Sequence, residues 1–276
     1  MDFKSYLEHS AQELDREIQS ILGVWLKEVE GISPKLIPLA KAFIKACQGG
    51  KRIRGTLVRL GYEIGNQSSA VSLQSPDIIK VGAAYEIFHT AILIHDDIID
   101  ESLLRRGQPS LYKALGGGHY GISQAISLAD LGFFLSFKII TEAEFDNQRK
   151  LEALKLFFDT IVNTALGQIL DLEKTDPILI AKLKTAHYTI AGPLQLGAIL
   201  GGAKEELVKL LGLYGVNLGI AFQIKDDILD GDGTFELEQA IHYKNQAIKL
   251  LPSITKDPKM SKLLKQMAEY LVERKK

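Results

Sequence analysis

Two sets of three aspartates are the residues whose types and spacing point most directly to chemistry. Each set follows an apolar stretch and has the spacing i, i+1 and i+4: Asp96, Asp97 and Asp100 in one, and Asp226, Asp227 and Asp230 in the other. On a helix, positions i and i+4 share a face, so these carboxylates would lie side by side. Clustered carboxylate oxygens are typical ligands of Mg²⁺, although one such set alone also fits a solvated acidic helix end.

The recurrence of the set favours a metal site over an acidic helix end. Two carboxylate sets on separate helices can face each other across a helical bundle and together hold several Mg²⁺ ions. The natural guest of such a site is a diphosphate, because the metal ions neutralise its charge. The six aspartates are therefore the predicted metal ligands.

Basic residues near the first set could hold an anion directly. The segment GGKRIR places Lys51 and Arg54 after two glycines, which form a flexible turn. Arg105 and Arg106 follow the first aspartate set. The planar guanidinium matches phosphate oxygens, whereas a basic helix start on the surface is the alternative for GGKRIR taken alone.

Polar residues inside apolar helices are the remaining candidates. His89 lies seven residues before Asp96, which is two helical turns on one face, so it could contact an anion; the alternative is a hydrogen-bonded core histidine. Later in the chain, four polar residues interrupt apolar helices: Gln168, Asp171, Lys184 and Gln223. Buried polar groups need partners, so these four either satisfy one another or line a cavity. Their position on helices that lead toward the aspartate sets favours a cavity.

The elements that must position these residues are helices. Apolar residues recur with helical periodicity throughout, and neither strand alternation nor a hairpin turn flanked by strands is evident. Five prolines fall at predicted breaks between helices: Pro34, Pro76, Pro109, Pro177 and Pro252. The chain has 276 residues, 46% of them hydrophobic, and no linker. We therefore expect one all-α domain over residues 1–276, folded as a large helical bundle.

Composition excludes several classes of protein. The formal net charge of −1 gives no electrostatic footprint for nucleic acid. The single cysteine, Cys47, rules out an internal disulfide and fits a reducing compartment. Early charged residues argue against a signal peptide, so a cytoplasmic location is expected. No uncharged apolar run is long enough for a transmembrane helix, so no transmembrane segment is expected.

The motifs, in order along nearly the whole chain, resemble those of the trans-isoprenyl diphosphate synthases, the polyprenyl synthetase family, and most of all its geranylgeranyl diphosphate synthases. GGKRIRG is similar to the family's GGKRxRP, with Gly55 in place of proline, and HDDIIDESLLRRG is similar to the first aspartate-rich motif. GQILDL, LKTA and GIAFQIKDDILD resemble three later family motifs. Five motifs in family order are far more specific than any one of them.

The resemblance implies a fold, a reaction and residue roles. The fold is a helical bundle of the isoprenoid synthase type around a central cavity, in a homodimer. The reaction is Mg²⁺-dependent condensation of isopentenyl diphosphate with an allylic diphosphate to give an all-trans prenyl diphosphate. The allylic diphosphate would be held through Mg²⁺, three ions per site, by Asp96, Asp97, Asp100, Asp226, Asp227 and Asp230, and directly by Arg105 and Lys184, with Gln223 lining the site. Isopentenyl diphosphate would be held by Lys51, Arg54, His89 and Arg106.

Product length is expected to be set on the helix that carries the first aspartates. Ile92, Ala91 and Phe88 lie four, five and eight residues before Asp96, where the allylic tail would extend. Bulky aromatics near this point limit family members to fifteen carbons, and the small Ala91 predicts a pocket that stays open beyond that length. Phe88 lies one turn deeper, roughly 5 Å along the axis, and is the predicted floor for a C20 product, geranylgeranyl diphosphate. A tail that passes Phe88 would give C25 or longer.

After Asp230 the sequence departs from the family pattern. A stretch with glycine and lysine usually follows, whereas here Gly231, Asp232 and Gly233 lead directly into the next helix. A segment that contributes a diphosphate-binding lysine is therefore expected to be missing after about residue 232, and Lys225 and Lys244 are poor substitutes.

Three other functions compete with a synthase. The departure after Asp230 favours a non-catalytic regulatory subunit that pairs with an active synthase, but two complete aspartate sets argue against it. A terpene cyclase would share the fold and one acidic motif, yet it would not need Lys51, Arg54 and His89 for a second diphosphate. A four-helix metal protein would use Glu-x-x-His pairs, which do not occur around the aspartate sets.

Overall fold

The computed structural model describes residues 2–66, 76–231 and 234–273, and helices dominate these ranges, as predicted for an all-α protein. The α-helices are α1 (Phe3–Ile32), α2 (Ile37–Ala46), α3 (Ile53–Gly65), α4 (Pro76–Ile99), α5 (Leu111–Ala114), α6 (Gly118–Glu142), α7 (Asn147–Leu172), α8 (Pro177–Ile180), α9 (Gly192–Leu200), α10 (Glu205–Asp230), α11 (Leu237–Lys249), α12 (Leu251–Ile254) and α13 (Pro258–Val272). A 3₁₀-helix covers Pro34–Leu36, and a π-helix covers Ala181–Ala191 between α8 and α9.

Prolines begin helices at four of the five predicted breaks. Pro34 starts the 3₁₀-helix, Pro76 starts α4, Pro177 starts α8, and Pro252 is the second residue of α12. Proline suits the first turn because the N–H that it lacks would have no partner inside the helix.

The fifth proline lies in a short hairpin, which the sequence reasoning missed. Strands β1 (Leu104–Arg105) and β2 (Gln108–Pro109) pair antiparallel, with Arg105 opposite Gln108. Arg106 and Gly107 form the turn, with φ angles of 53° and 73°. Two positive φ angles are what a type I′ hairpin turn requires. Strands of two residues are too short to show alternation in the sequence, and for this reason the hairpin escaped prediction.

The chain forms two compact units, each built from several segments. The first unit comprises Met1–Ser10, Thr56–Ile78 and Glu144–Lys276, and the second comprises Ala11–Gly55 and Ile79–Ala143. The first aspartate set and the GGKRIR segment lie in the second unit, whereas the second set lies in the first unit. That the two sets share one site, in a single domain, stays a prediction.

Close helix contacts define the second unit around α4. A Cβ on Gly55 would lie 2.8 Å from the carbonyl oxygen of Gly82, and a Cβ on Gly82 would lie 2.9 Å from that of Gly55. Both positions also contact Leu14 of α1. On the other side of α4, a Cβ on Gly132 of α6 would lie 3.1 Å from Cβ of Ala91. The helix that carries the first aspartates is therefore tightly fixed by its neighbours.

In the first unit, glycines bring α7 and α10 against the π-helix. A Cβ on Gly167 of α7 would lie 2.2 Å from the backbone nitrogen of Lys184. Gly215 and Gly219 of α10 approach Ala191 and Ala186 in the same way. These contacts leave no room for side chains, so they set where Lys184 sits.

Among the described residues, three helices are long and apolar enough, by length and composition alone, to cross a membrane. They are Asp77–Ile99, Gly118–Glu142 and Glu205–Asp230. In the first of them, 72% of the most apolar window is buried inside the protein, which is the environment of a core helix. The expected absence of a transmembrane segment stays a prediction.

Candidate active site

The first aspartate set ends α4, and its three members differ in environment. Asp97 is only 3% exposed, Asp96 is half-buried, and Asp100 is exposed just after the helix. Oδ1 of Asp97 accepts hydrogen bonds from Nε and Nη2 of Arg105, at 2.8 and 2.5 Å. Nη2 also lies 3.6 Å from Oδ2 of Asp96. Arg105, which the sequence predicted as a direct diphosphate contact, is thus placed against the carboxylates.

The charge of Asp97 holds Arg105 in its ionised form. Burial is the largest single effect and by itself lowers the pKa of Arg105, but the hydrogen bond and the attraction from Asp97 outweigh it and raise the pKa. Within this set, therefore, Arg105 lies nearest to Asp97 and also faces Asp96.

The hairpin delivers Arg106 to the two-glycine turn. Nη1 of Arg106 donates to the carbonyl oxygens of Gln48 and Gly49, at 2.9 and 3.0 Å. A Cβ on Gly50 would lie 2.8 Å from Nη2 of Arg106, so glycine is required there for the approach. Burial, followed by the nearby charge of Arg52, lowers the pKa of Arg106.

The cations of GGKRIR divide between the surface and the interior. Lys51 is exposed, Arg54 is half-buried, and Arg52 is 3% exposed. Nη1 of Arg54 lies 3.1 Å from Nε2 of His89. An arginine carries only donors, so Nε2 accepts and the ring proton belongs on Nδ1. Burial and the charge of Arg54 lower the pKa of His89 well below its ordinary value.

A cavity of about 390 Å³ adjoins these groups within the second unit. Asp97, Arg105 and Arg106 line it together with Lys45 of α2, and apolar residues such as Leu93 complete the lining. Lys45 had no role in the sequence reasoning. The signal in the sequence was its position one turn before Gly49, at the end of α2.

In the first unit, Lys184 pairs with Asp171. Nζ of Lys184 lies 2.5 Å from Oδ2 of Asp171, which joins the π-helix to α7. Lys184, the predicted diphosphate contact, therefore has Asp171 as its ion-pair partner. Gln168, one turn earlier on α7, has a buried Nε2 that makes no hydrogen bond to any residue the structure describes. Of the four polar residues, Asp171 and Lys184 thus satisfy one another, while a cavity lined by Gln168 stays a prediction.

Gln223 connects the second aspartate set to the π-helix. Its Oε1 accepts from the hydroxyl of Thr185 at 2.6 Å, and its Nε2 donates to Oδ1 of Asp227 at 2.7 Å. Gln223 thus orients Asp227, while Asp226 is half-buried and Asp230 is exposed. Thr185 was missed as a site residue, although it directly follows Lys184 in the sequence.

The predicted chain-length residues have different surroundings. Phe88 is 1% exposed, and its ring packs 5.9 Å from Tyr85 and 5.2 Å from Phe133. Ile92 is half-buried one turn closer to the aspartates. Ala91 is fully buried against α6, where the lack of a side chain at Gly132 leaves room for the methyl group of Ala91. Their effect on product length stays a prediction.

The region after Asp230 is described only in part. Gly231 ends α10 with a φ of 79°, and Glu236 caps α11, while Asp232 and Gly233 lie outside the described residues. The predicted loss of a segment there stays a prediction. Lys244 pairs with Glu273 at 2.8 Å, so it is already engaged elsewhere.

The sequence pattern of the polyprenyl synthetase family matches residues 38–239, which is most of the chain. This chain belongs to the polyprenyl synthetase family. Its relatives include a geranylgeranyl diphosphate synthase of Sulfolobus acidocaldarius, 30% identical over 82% of this chain, and a heptaprenyl diphosphate synthase component 2 of Geobacillus stearothermophilus, 35% identical over 82% of this chain. The chain spans 66% and 63% of their lengths, less than two thirds in each case.

A solved structure shares the fold of this family member along its whole length. It is a geranylgeranyl pyrophosphate synthase of Corynebacterium glutamicum complexed with isoprenyl diphosphate and magnesium, with a TM-score of 0.87, 19% identity and coverage of 100% of both chains. At this identity the likeness establishes the isoprenyl synthase fold. The predicted fold is therefore confirmed.

The carboxylates of this polyprenyl synthetase family member fit one kind of Mg²⁺ site. No group of three or more metal-ligating side chains comes together among the residues that the structure describes. Mg²⁺ is usually bound by one or two carboxylates together with substrate phosphates and water, rather than by a protein cage. Asp96 with Asp100, and Asp226 with Asp230, supply such i, i+4 pairs, and Asp97 and Asp227 beside them are oriented by Arg105 and Gln223.

Proposed function

We propose that this protein is a Mg²⁺-dependent prenyltransferase. It condenses isopentenyl diphosphate with an allylic diphosphate and releases an all-trans prenyl diphosphate, with geranylgeranyl diphosphate as the C20 product. Family membership and the fold support the reaction class. The two relatives carry names for different products, so the product length rests on the residues around Phe88.

The proposal rests on two groups of side chains in the second unit, each of which can bind a diphosphate. One group would bind it through Mg²⁺, and the other would bind it directly. At the end of α4, Asp96 and Asp100 offer oxygen ligands for Mg²⁺. At the two-glycine turn, Arg106 meets Gly49, and Arg54 meets His89, so side chains from three segments form a cationic group. A reaction between two diphosphates needs such a pair of groups, one for each substrate.

The cationic group would bind the diphosphate of isopentenyl diphosphate without a metal. Lys51 is exposed and available to a ligand, and the neutral His89 presents only one N–H, so the positive charge comes from Lys51, Arg54 and Arg106. Fixing this substrate by its diphosphate leaves its double bond free to approach the allylic carbon, which is the positioning that the reaction needs.

The carboxylate sets and their neighbours would hold the allylic diphosphate. Bound Mg²⁺ supplies neutralisation of the diphosphate as it leaves. Arg105 and Lys184 would contact the same diphosphate directly. Each already pairs with a carboxylate, that of Asp97 or Asp171, and has further N–H donors for the diphosphate. Gln223 would act through Asp227, which it orients.

The chemical steps need no nucleophilic side chain. The bond between the allylic carbon and the diphosphate oxygen breaks, and the electron pair leaves with the diphosphate. The double bond of isopentenyl diphosphate attacks the allylic cation and forms the new carbon–carbon bond. A proton then leaves to the released diphosphate, which restores a double bond. Catalysis is therefore charge stabilisation by preorganised groups.

A homodimer is part of the proposal. Several large apolar side chains of α7 are exposed, among them Leu151, Phe158, Val162 and Ile169. An apolar helix face of this kind is typical of a protein–protein interface. A cytoplasmic location remains the expectation from the sequence.

Product analysis tests the proposed function. The full chain is incubated with isopentenyl diphosphate, Mg²⁺ and allylic starters of different length, and the dephosphorylated products are separated by chromatography. We expect elongation that stops mainly at C20. Absence of elongation with every starter would contradict the proposal, and Asp96→Ala serves as the inactive control.

A further inference from the structure

Glu86 lies on α4, one turn before His89, and the proposed mechanism gives it no role. Its side chain is 3% exposed, and a carboxylate buried so deeply needs compensating partners. Two partners are present. Oε1 accepts a hydrogen bond from the backbone N–H of Gly55 at 2.8 Å, and Oε2 lies 3.7 Å from Nη1 of Arg52.

Arg52 connects Glu86 to the two-glycine turn. Its guanidinium, 2% exposed, also donates to Oδ1 of Asp15 at 2.7 Å and to the carbonyl oxygen of Cys47 at 2.8 Å. The backbone of Arg52 is left-handed, with a φ of 53°. Such a conformation in a residue with a side chain persists only where its surroundings hold it, and these buried contacts hold it here.

The left-handed residue lies between Lys51 and Arg54, the two cations assigned to isopentenyl diphosphate. With Arg52 drawn inward by Glu86 and Asp15, Lys51 stays exposed, and Arg54 reaches His89. Glu86 and His89 are three residues apart on α4, so one helix fixes both the turn and the imidazole.

The bond from Gly55 depends on the residue type at this position. The family pattern has proline at this position, and proline has no backbone N–H to donate. Gly55 supplies that donor, and it also allows the close contact with Gly82 and Leu14.

We propose that Glu86 is a positioning residue, which sets the isopentenyl diphosphate site by anchoring Arg52 and the N–H of Gly55. The inference rests on the proposed function for the identity of the ligand. The buried carboxylate of Glu86 would thereby fix the positions of the cations that bind the diphosphate.

The test compares the two substrates in Glu86→Gln, which keeps the shape and the acceptor of Glu86 but removes its charge. We expect the KM for isopentenyl diphosphate to rise about tenfold, while the KM for the allylic diphosphate changes by less than about twofold. Asp15→Asn should raise the same KM by a smaller factor, because Asp15 is 44% exposed. Glu63→Gln removes the ion pair between Glu63 and Arg59, which makes no recorded contact with Arg52 or Glu86, and should change neither KM.

A merely structural role would give a different result. It would lower kcat and the melting temperature without separating the two KM values, and an unchanged KM for isopentenyl diphosphate would overturn the inference. If Glu86→Gln does not fold, the double variant Arg52→Met with Glu86→Leu removes both buried charges together. It should show the same selective rise in KM.

Binding of inorganic diphosphate without Mg²⁺ separates this inference from the proposed function. If the wild type does not elongate but binds diphosphate, and Lys51→Ala and Glu86→Gln each weaken binding about tenfold, the positioning role stands and the reaction is wrong. Equal binding by wild type and Glu86→Gln overturns the inference. No diphosphate binding by the wild type overturns the inference, whereas the proposed function is decided by the product analysis.

Discussion

Nε2 of His89 accepts a hydrogen bond from Nη1 of Arg54 at 3.1 Å, which only a neutral imidazole can do. Burial and the neighbouring cations lower the pKa of His89 well below 6.5, its ordinary value. The unfolded chain therefore takes up a proton at this residue first as the pH falls. The stability that depends on neutral His89 is fully present above about pH 6.5 and is lost as the pH falls toward the folded-state pKa.

Urea denaturation at pH 7.5 and pH 5 measures this effect. We expect the wild type to lose more free energy of unfolding between the two values than His89→Gln, which cannot titrate. His242→Gln replaces an exposed histidine and should keep the wild-type pH dependence. Parallel losses in wild type and His89→Gln would show that His89 is not responsible.

Gly50→Ala should impair the isopentenyl diphosphate site specifically. The φ of 98° at this residue costs alanine about 1–2 kcal/mol, and its Cβ would also displace Arg106. Gly116→Ala is the matched control, with a φ of 97° and no atom within 4 Å of the added Cβ. Both variants should lose stability, but only Gly50→Ala should raise the KM for isopentenyl diphosphate, by about tenfold. Equal KM values would contradict the contact with Arg106.

Gly167→Ala should destabilise the protein and lower kcat. Its Cβ would meet backbone atoms of Lys184, and overpacking of this kind costs about 1–3 kcal/mol. Gly23→Ala, in an exposed turn of α1 with no atom within 4 Å, should instead stabilise by up to about 1 kcal/mol, because alanine favours a helix. Thermal and urea denaturation with steady-state kinetics measure both. A neutral Gly167→Ala would mean that α7 and the π-helix can move apart freely.

Phe88→Ala should lengthen the product beyond C20, because the ring that closes the predicted pocket is removed. Phe157→Ala is the control, since it deletes another fully buried phenylalanine in a different helix. Each truncation should cost about 3–5 kcal/mol, so products are compared by chromatography below the melting temperatures of both variants. Identical chain lengths in wild type and Phe88→Ala would show that Phe88 is not the floor.

Local patterns in the sequence predicted what depends on residues close together in the chain. Helical periodicity indicated the all-α fold, and the aspartate spacing placed Asp96 and Asp100 on one helix face. The pairing of Arg105 with Asp97 is also local, since the two residues are eight positions apart. Each of these relationships is fixed within a few helical turns, so it leaves a direct trace in the sequence.

The contacts that the sequence could not predict join distant segments. Glu86 meets Arg52 from 34 positions away, and Thr185 meets Gln223 from 38 positions away. Neither of these separations along the chain follows a periodic pattern that could be recognised in the sequence. The sequence also could not distinguish the members of the first aspartate set, because spacing alone gives them the same predicted role. In the structure, Asp97 is buried beside Arg105, whereas Asp96 is half-buried. The two-residue strands were missed because two residues make only one period of alternation, which is too short to recognise as a pattern.

Calorimetric titration with isopentenyl diphosphate in the presence of a Mg²⁺ chelator tests most directly the claim that the two diphosphates are held by different chemistry. We predict that the wild type binds isopentenyl diphosphate without Mg²⁺. Arg54→Ala should weaken this binding about tenfold or more, since a hydrogen bond between charged groups contributes about 1.5–3 kcal/mol. Binding that requires Mg²⁺, or that is unchanged in Arg54→Ala, would contradict a cationic site at the two-glycine turn.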